Sequence, residues 1–115
     1  MGMLLALLSQ LALAHNPLAI VHPKLIGGPV FRASDYPIEA ERHLWSGTVV
    51  ADLTINPRGR VDGCKIVQTS GHKVLDDTTC SILVDRARFQ PARDQNGNAV
   101  EDVMRTPEVP WKVIP

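Results

Sequence analysis

Hydrophobic and polar positions alternate most cleanly over residues 48–55. Val49, Ala51, Leu53 and Ile55 fall on one face and Thr48, Val50, Asp52 and Thr54 on the other. A period of two predicts a half-buried strand. In Asn56-Pro57-Arg58-Gly59 the proline fixes φ and the glycine accepts a positive one, so the chain reverses into a second strand over 60–68, closing a hairpin. On that strand Cys64 and Ile66 share the face read as inner, because Asp62 and Gln68 at its ends lie near water. Thr69-Ser70-Gly71 ends the strand, and the period lengthens. Leu75, Thr79, Ile82 and Leu83 form an apolar stripe that predicts a helix over 73–86. Asp76 and Asp77 near its start and Arg86 and Arg88 near its end complement the helix dipole. Pro91 cannot continue that helix, and Asn96-Gly97 is a strong turn signal. A last strand is expected over 99–113, with Pro107 and Pro110 restricting which of its amides can pair.

Upstream of the hairpin, Pro37 suits the first turn of a helix. Tyr36, Ala40 and Leu44 recur at helical spacing, and Gly47 is read as the stop, so one short helix is expected there. Residues 15–33 show no sustained period and are broken by Pro17, Pro23, Gly27, Gly28 and Pro29, which reads as a linker. Residues 3–14, MLLALLSQLALA, are apolar except for Ser9 and Gln10. That run is shorter than the roughly 20 residues a spanning helix needs. It fits the apolar region of a secretory signal with Ala12-Leu13-Ala14 as its cleavage site, although no Lys or Arg precedes Lys24. A remnant of a longer membrane anchor and an amphipathic helix of the body stay open beside that reading. The order of the body, residues 34–113, is α, β, β, α, β. The expectation is a small two-layer α+β domain with a three-stranded antiparallel sheet and two helices.

Composition changes this picture little. The 115 residues carry 12 basic and 12 acidic side chains and are 44% hydrophobic. A chain of this length holds one domain with a thin core, and a formal charge of zero argues against nucleic acid as a partner.

Candidate chemistry is sparse. Cys64 and Cys80 are the only cysteines and stand sixteen positions apart. In an oxidising compartment they are expected to form a disulfide. Two separate buried thiols, or a metal site with His72, are the alternatives, and the latter lacks a fourth ligand and a close Cys pair. Ser70, His72 and Asp76 contain the atoms of a hydrolase triad but read as a turn with a polar cap, since no nucleophile elbow surrounds Ser70. His15, His22 and His43 read as isolated, solvated residues. Gly27-Gly28-Pro29 reads as a flexible joint rather than a nucleotide loop. No cofactor, metal or catalytic set is assigned. Phe89, Trp45 and at least one of Tyr36 and Trp111 are expected in the core, and Tyr36 and Trp111 are both candidate anchors for a partner.

An ordered series of short motifs runs through the body: Tyr36-Pro37, Gly47, Pro57-x-Gly59-Arg60-Val61, Ser70-Gly71 before Leu75-Asp76, Arg88-Phe89-x-Pro91-Ala92, and Gly97-x-x-Val100. In that order they resemble the TonB C-terminal domain, over about eighty residues. The cysteine pair is similar to one found in a subset of such domains, in the second strand and second helix. The resemblance implies a non-catalytic domain, periplasmic or facing the periplasm from an inner-membrane anchor. It implies capture of the TonB box of an outer-membrane receptor, or a similar peptide, by pairing it with the last strand. Carried over, the partner-binding residues are Val100, Val103, Met104, Arg105, Val109 and Trp111, with Tyr36 beside them. ExbB and ExbD are implied as partners for a longer form, and a dimer stays open. Two other functions stay open: the C-terminal fragment of a full energy transducer with a misplaced start, and a small periplasmic enzyme using Ser70 or His72.

Overall fold

The computed structural model describes residues 14–112. The leader read at 3–14 therefore lies, but for Ala14, outside the described residues, as does the expected end of the last strand at Val113. No helix among the described residues is long and apolar enough to cross a membrane.

Strand β2, Gly47–Ile55, is the centre of the sheet. Val49, Ala51, Leu53 and Ile55 are all buried, as their alternation predicts. Strand β3, Val61–Gln68, pairs antiparallel with it across the Asn56–Gly59 turn. Asn56 Oδ1 accepts the N–H groups of Arg58 and Arg60, and Gly59 takes φ +80. A Cβ on Gly59 would lie 1.9 Å from the Phe89 carbonyl oxygen, so both the turn and the close approach need glycine. The register shifts between Thr54 and Ile55, where β3 takes two steps, from Gly63 to Val61, against one of β2, leaving Asp62 as the extra residue. That bulge turns Val61 into the core, which strict alternation through Cys64 and Ile66 does not anticipate.

Helix α2, Lys73–Arg86, packs on the inner face with Leu75, Thr79, Ile82 and Leu83 buried, the stripe read from the sequence. Cys64 and Cys80 are joined in a disulfide, their Cα atoms 5.7 Å apart, which fastens β3 to α2. Helix α1, Ile38–Arg42, is shorter than expected. Its end is a Schellman motif: Trp45 N–H donates to the Ala40 carbonyl and Leu44 N–H to that of Glu41. Leu44 sits at the left-handed position with φ 56 and is 71% exposed, so it terminates the helix rather than extending its apolar face. Gly47 opens β2 and is not the helix stop.

The expected last strand is three pieces. Strands β5, Ala92–Arg93, and β6, Ala99–Val100, form a small hairpin at the Asn96-Gly97 turn. Strands β7, Asp102–Arg105, and β8, Val109–Trp111, both pair with β2 on the side away from β3. The stretch read as a linker is docked. Its strand β1, Lys24–Ile26, pairs with β4, Arg88–Gln90, and Val21 bridges Arg93. Val30 and Phe31 pack against the core, and a 3-10 turn at Ala33–Asp35 leads into α1. The apolar character of this stretch shows in the sequence; its pairing depends on residues more than sixty positions away.

Two expected outcomes follow from these locks. A disulfide closing a loop of 16 residues contributes about 3 kcal/mol through the unfolded chain. Cys64→Ser with Cys80→Ser should therefore lower Tm by roughly 10–20 °C in calorimetry. Leu44→Gly removes a left-handed side chain that is 71% exposed, so little burial is lost. It should gain about 0.5–1 kcal/mol, read as a Tm raised by a few degrees.

Candidate functional site

The phase of the backbone along β2 determines which groups face the open side of the sheet. Thr106 N–H donates to the Ala51 carbonyl at 2.8 Å. In an extended strand the N–H and C=O of one residue point to the same side, and successive residues alternate. Gly47, Val49, Ala51, Leu53 and Ile55 hence turn their amide groups toward β7 and β8. Their partners in register, Trp111, Val109, Met104 and Asp102, turn back toward β2. Val103, Arg105 and Pro110 face the open edge.

Between the two paired stretches the chain makes a bulge. Val50 and Ala51 on β2 stand opposite Thr106, Pro107 and Glu108. The bulge would leave the buried Ala51 N–H without a carbonyl, and the Thr106 hydroxyl accepts it instead, at 3.1 Å. Pro107 and Pro110 remove no bond from β2, because one lies in the bulge and the other faces outward. They remove donors from the open edge.

The start of that edge is already occupied. Asn16 Nδ2 donates to the Glu101 carbonyl at 2.8 Å, and the Val103 N–H donates to Asp102 Oδ1 at 2.8 Å. What stays open is the Arg105 amide, the Glu108 and Lys112 amides further along, and the carbonyls beside them. The Arg105 guanidinium is held away from the edge by Asp52, at 2.7 and 3.0 Å. The hydrogen bonds from Arg105, the largest influence, hold the Asp52 carboxyl below its ordinary range against the opposing effect of burial.

Beneath this edge lies an apolar groove of about 650 Å³, between β7–β8 and the stretch from Leu25 to Tyr36. Met104, Val109 and Trp111 form its sheet side; Val30, Phe31 and Tyr36 form the opposite side, and Leu53, Leu83 and Phe89 the floor. Trp111 fixes its end. The indole N–H donates to Thr79 Oγ1 at 2.8 Å, and that hydroxyl donates to the Leu75 carbonyl at 2.8 Å. Phe31 and Tyr36 meet the indole edge to face at 6.1 and 5.4 Å. The Tyr36 hydroxyl donates to the Trp45 carbonyl. Asp35 receives both guanidinium nitrogens of Arg86, at 2.7 and 2.8 Å, which holds the groove's outer wall on α2. Those bonds, ahead of the contrary effect of burial, keep the Asp35 carboxyl below its usual value.

Of the residues expected to meet a partner, Met104, Val109, Trp111 and Tyr36 line the groove, and Val103 and Arg105 present backbone at the edge. Val100 does not belong with them, because it pairs with Ala92 in the β5–β6 hairpin. Val30, Phe31 and Thr106 were not expected. The apolar pair Val30-Phe31 was the available signal, masked by the Gly and Pro residues just before it.

The other polar candidates resolve into local structure. Ser70 Oγ donates to Asp76 Oδ1 at 2.7 Å, and Ser70 N–H donates to the same oxygen at 2.9 Å, capping the approach to α2. The His72 ring lies flat on Trp45 at 4.7 Å, and the His43 ring is also stacked on Trp45 at 4.8 Å. The Ser70, His72 and Asp76 side chains thus form no relay through the imidazole. His43 is not isolated, and neither are His15 and His22, which converge on Asp102.

The order of elements, the hairpin, the α2 stripe and the final edge coincide with the match of residues 32–111 to the family described as Gram-negative bacterial TonB protein C-terminal. The chain belongs to this family. No curated protein matches it significantly. TonB C-terminal domains are non-catalytic, transport-associated domains of the periplasm that interact with outer-membrane receptors.

The bulge yields a direct check on how the TonB-type edge is built. Thr106→Val keeps the shape but leaves the Ala51 N–H without its acceptor, and should cost about 1–3 kcal/mol in denaturant unfolding. Thr106→Ser should recover most of that loss.

Proposed function

We propose that this chain is a periplasmic TonB-type binding domain, exported by the apolar leader at 3–14 with cleavage after Ala14. In this reading it captures an extended peptide of the TonB-box type from an outer-membrane receptor. The observation that carries it is the apolar groove running beside the open β7–β8 edge, with Met104, Val109 and Trp111 in its wall. A strand laid along β7–β8 would pair there and drop alternate side chains between Met104, Val109 and Tyr36.

The prolines and the strap change how such a peptide would be held. With Glu101 and Val103 engaged from within and no N–H at Pro107 or Pro110, the edge offers few donors. Affinity then comes mainly from apolar side chains in the groove, at roughly 25 cal/mol per Å² buried, and less from backbone pairing. Selectivity should favour peptides with large apolar residues at alternate positions.

NMR titration with a synthetic TonB-box peptide checks this. Shifts are expected at Val103, Arg105, Val109 and Trp111; shifts confined to β3 or α1 would exclude the β7–β8 edge. Pro110→Ala adds an outward N–H without touching β2 and should tighten binding roughly 2- to 12-fold, the range of one added hydrogen bond.

A further inference from the structure

Asp102 is 1% exposed and stands at the first position of β7, with its carboxylate turned toward the N-terminal strap. His22 Nδ1 lies 3.0 Å from Oδ2, and His15 Nδ1 lies 3.4 Å from Oδ1. One ligand atom from each of the three residues lies within 4.8 Å of the others. The carboxylate is oriented by backbone: the Asn16 and Val103 N–H groups both donate to Oδ1, at 2.7 and 2.8 Å.

A hydrogen bond between imidazole and carboxylate accounts for one histidine here. It does not account for two, both presenting Nδ1 to the same carboxylate from positions seven residues apart. A tetrahedral ion with bonds of about 2.0–2.2 Å separates its ligand atoms by about 3.3–3.6 Å. The His22 Nδ1 to Oδ2 separation is already near that; His15 Nδ1 lies nearest the other carboxylate oxygen, and rotation of the two rings, 43% and 60% exposed, brings it toward Oδ2. The outward sides of those rings leave coordination positions for water or another donor. Carboxylate hydrogen-bonded by backbone amides, with imidazoles beside it, is also the arrangement that orients metal ligands.

We infer that His15, His22 and Asp102 bind one divalent ion of the zinc class. Two imidazoles and a carboxylate suit Zn²⁺, whereas Mg²⁺ and Ca²⁺ take sets of oxygen ligands. The ion joins the strap to β7 beside the bonds from Asn16, and so fixes the strap over the start of the open edge. Cleavage after Ala14, as proposed above, makes His15 the first residue. Its α-amine then lies in chelating position with its own Nδ1 and supplies a further nitrogen donor. The three side-chain ligands stand without the peptide reading, and a failure of either leaves the other intact.

Calorimetric titration of ZnCl₂ into the full chain, and into a chain beginning at His15, tests the site. One ion per chain is expected, with no comparable heat from MgCl₂. His15→Gln and His22→Gln, both at exposed rings, should each weaken binding at least tenfold, while His43→Gln leaves it unchanged. Zn²⁺ should also raise Tm and slow hydrogen exchange at the Asn16 and Val103 amides. Absence of Zn²⁺ binding in both chains, binding undiminished in His22→Gln, or equal loss in His43→Gln would overturn the site. The chain beginning at His15 should bind at least tenfold more tightly than the full chain, and equal affinity would remove the α-amine from the ligand set.

Discussion

Strand β2 has to satisfy backbone N–H and C=O groups along both edges while all its inward side chains are buried, and one of its two neighbours is not a continuous strand. Burial leaves no water to take up an unpaired amide at Ala51, which is fully covered. The chain between Arg105 and Val109 contains a proline and one residue too many, so it cannot supply a regular ladder. The Thr106 hydroxyl repairs the ladder from a side chain. Register is preserved on both sides of the interruption: Met104 opposite Leu53 and Val109 opposite Val49 both face the groove. The shape of the candidate site thus follows from a single substituted hydrogen bond in the middle of the sheet.

The same phase separates two roles that proline plays in this sheet. Placed at an inward position it would leave β2 with an unpaired carbonyl. Placed outward, as Pro110 is, it blunts the edge at no cost to the core. Asn16 and Asp102 extend this protection to the beginning of β7. In a small TonB-type domain with an exposed apolar groove, an unprotected edge would invite pairing between copies, and these devices narrow the accessible donors to the Arg105, Glu108 and Lys112 amides. Trp111 works at the other end, where its bond to Thr79 ties β8 to the helix that the disulfide also holds.

Local periodicity made much of the fold legible. The alternation from Val49 to Ile55 located the central strand and its inner face, and Leu75, Thr79, Ile82 and Leu83 located the long helix, because both elements bury a regular stripe. Legibility failed where geometry departs from a regular period. Val61 enters the core through a bulge, and Leu44 adopts a left-handed conformation that its residue type disfavours. The docked strap failed for another reason: its contacts join Asn16 and His22 to Asp102 across 86 and 80 positions, with no pattern of their own. For the site, the ordered motifs pointed to the β7–β8 edge, and four of the residues they named line the groove beside it. Thr106 was invisible, since a hydroxyl serving in place of a carbonyl looks like any polar residue in a loop.

The strap also has a mechanical meaning. From His15 to Arg32 it is held by contacts that lie one after another along its length: the Asn16 and His22 bonds to Asp102, the Val21 bridge, then the β1–β4 pairs. A load taken at the N-terminal end of the strap would meet these contacts in succession rather than all together. Its 18 residues (15 through 32) would release roughly 60 Å of chain at about 3.3–3.6 Å each. Only then would tension reach the two-pronged contact of Asp35 with Arg86, behind which the disulfide-linked core stands. The segment would thus be stored length in series with the domain, and because Val30 and Phe31 belong to it, a pull would open one side of the groove before it reached the disulfide-linked core.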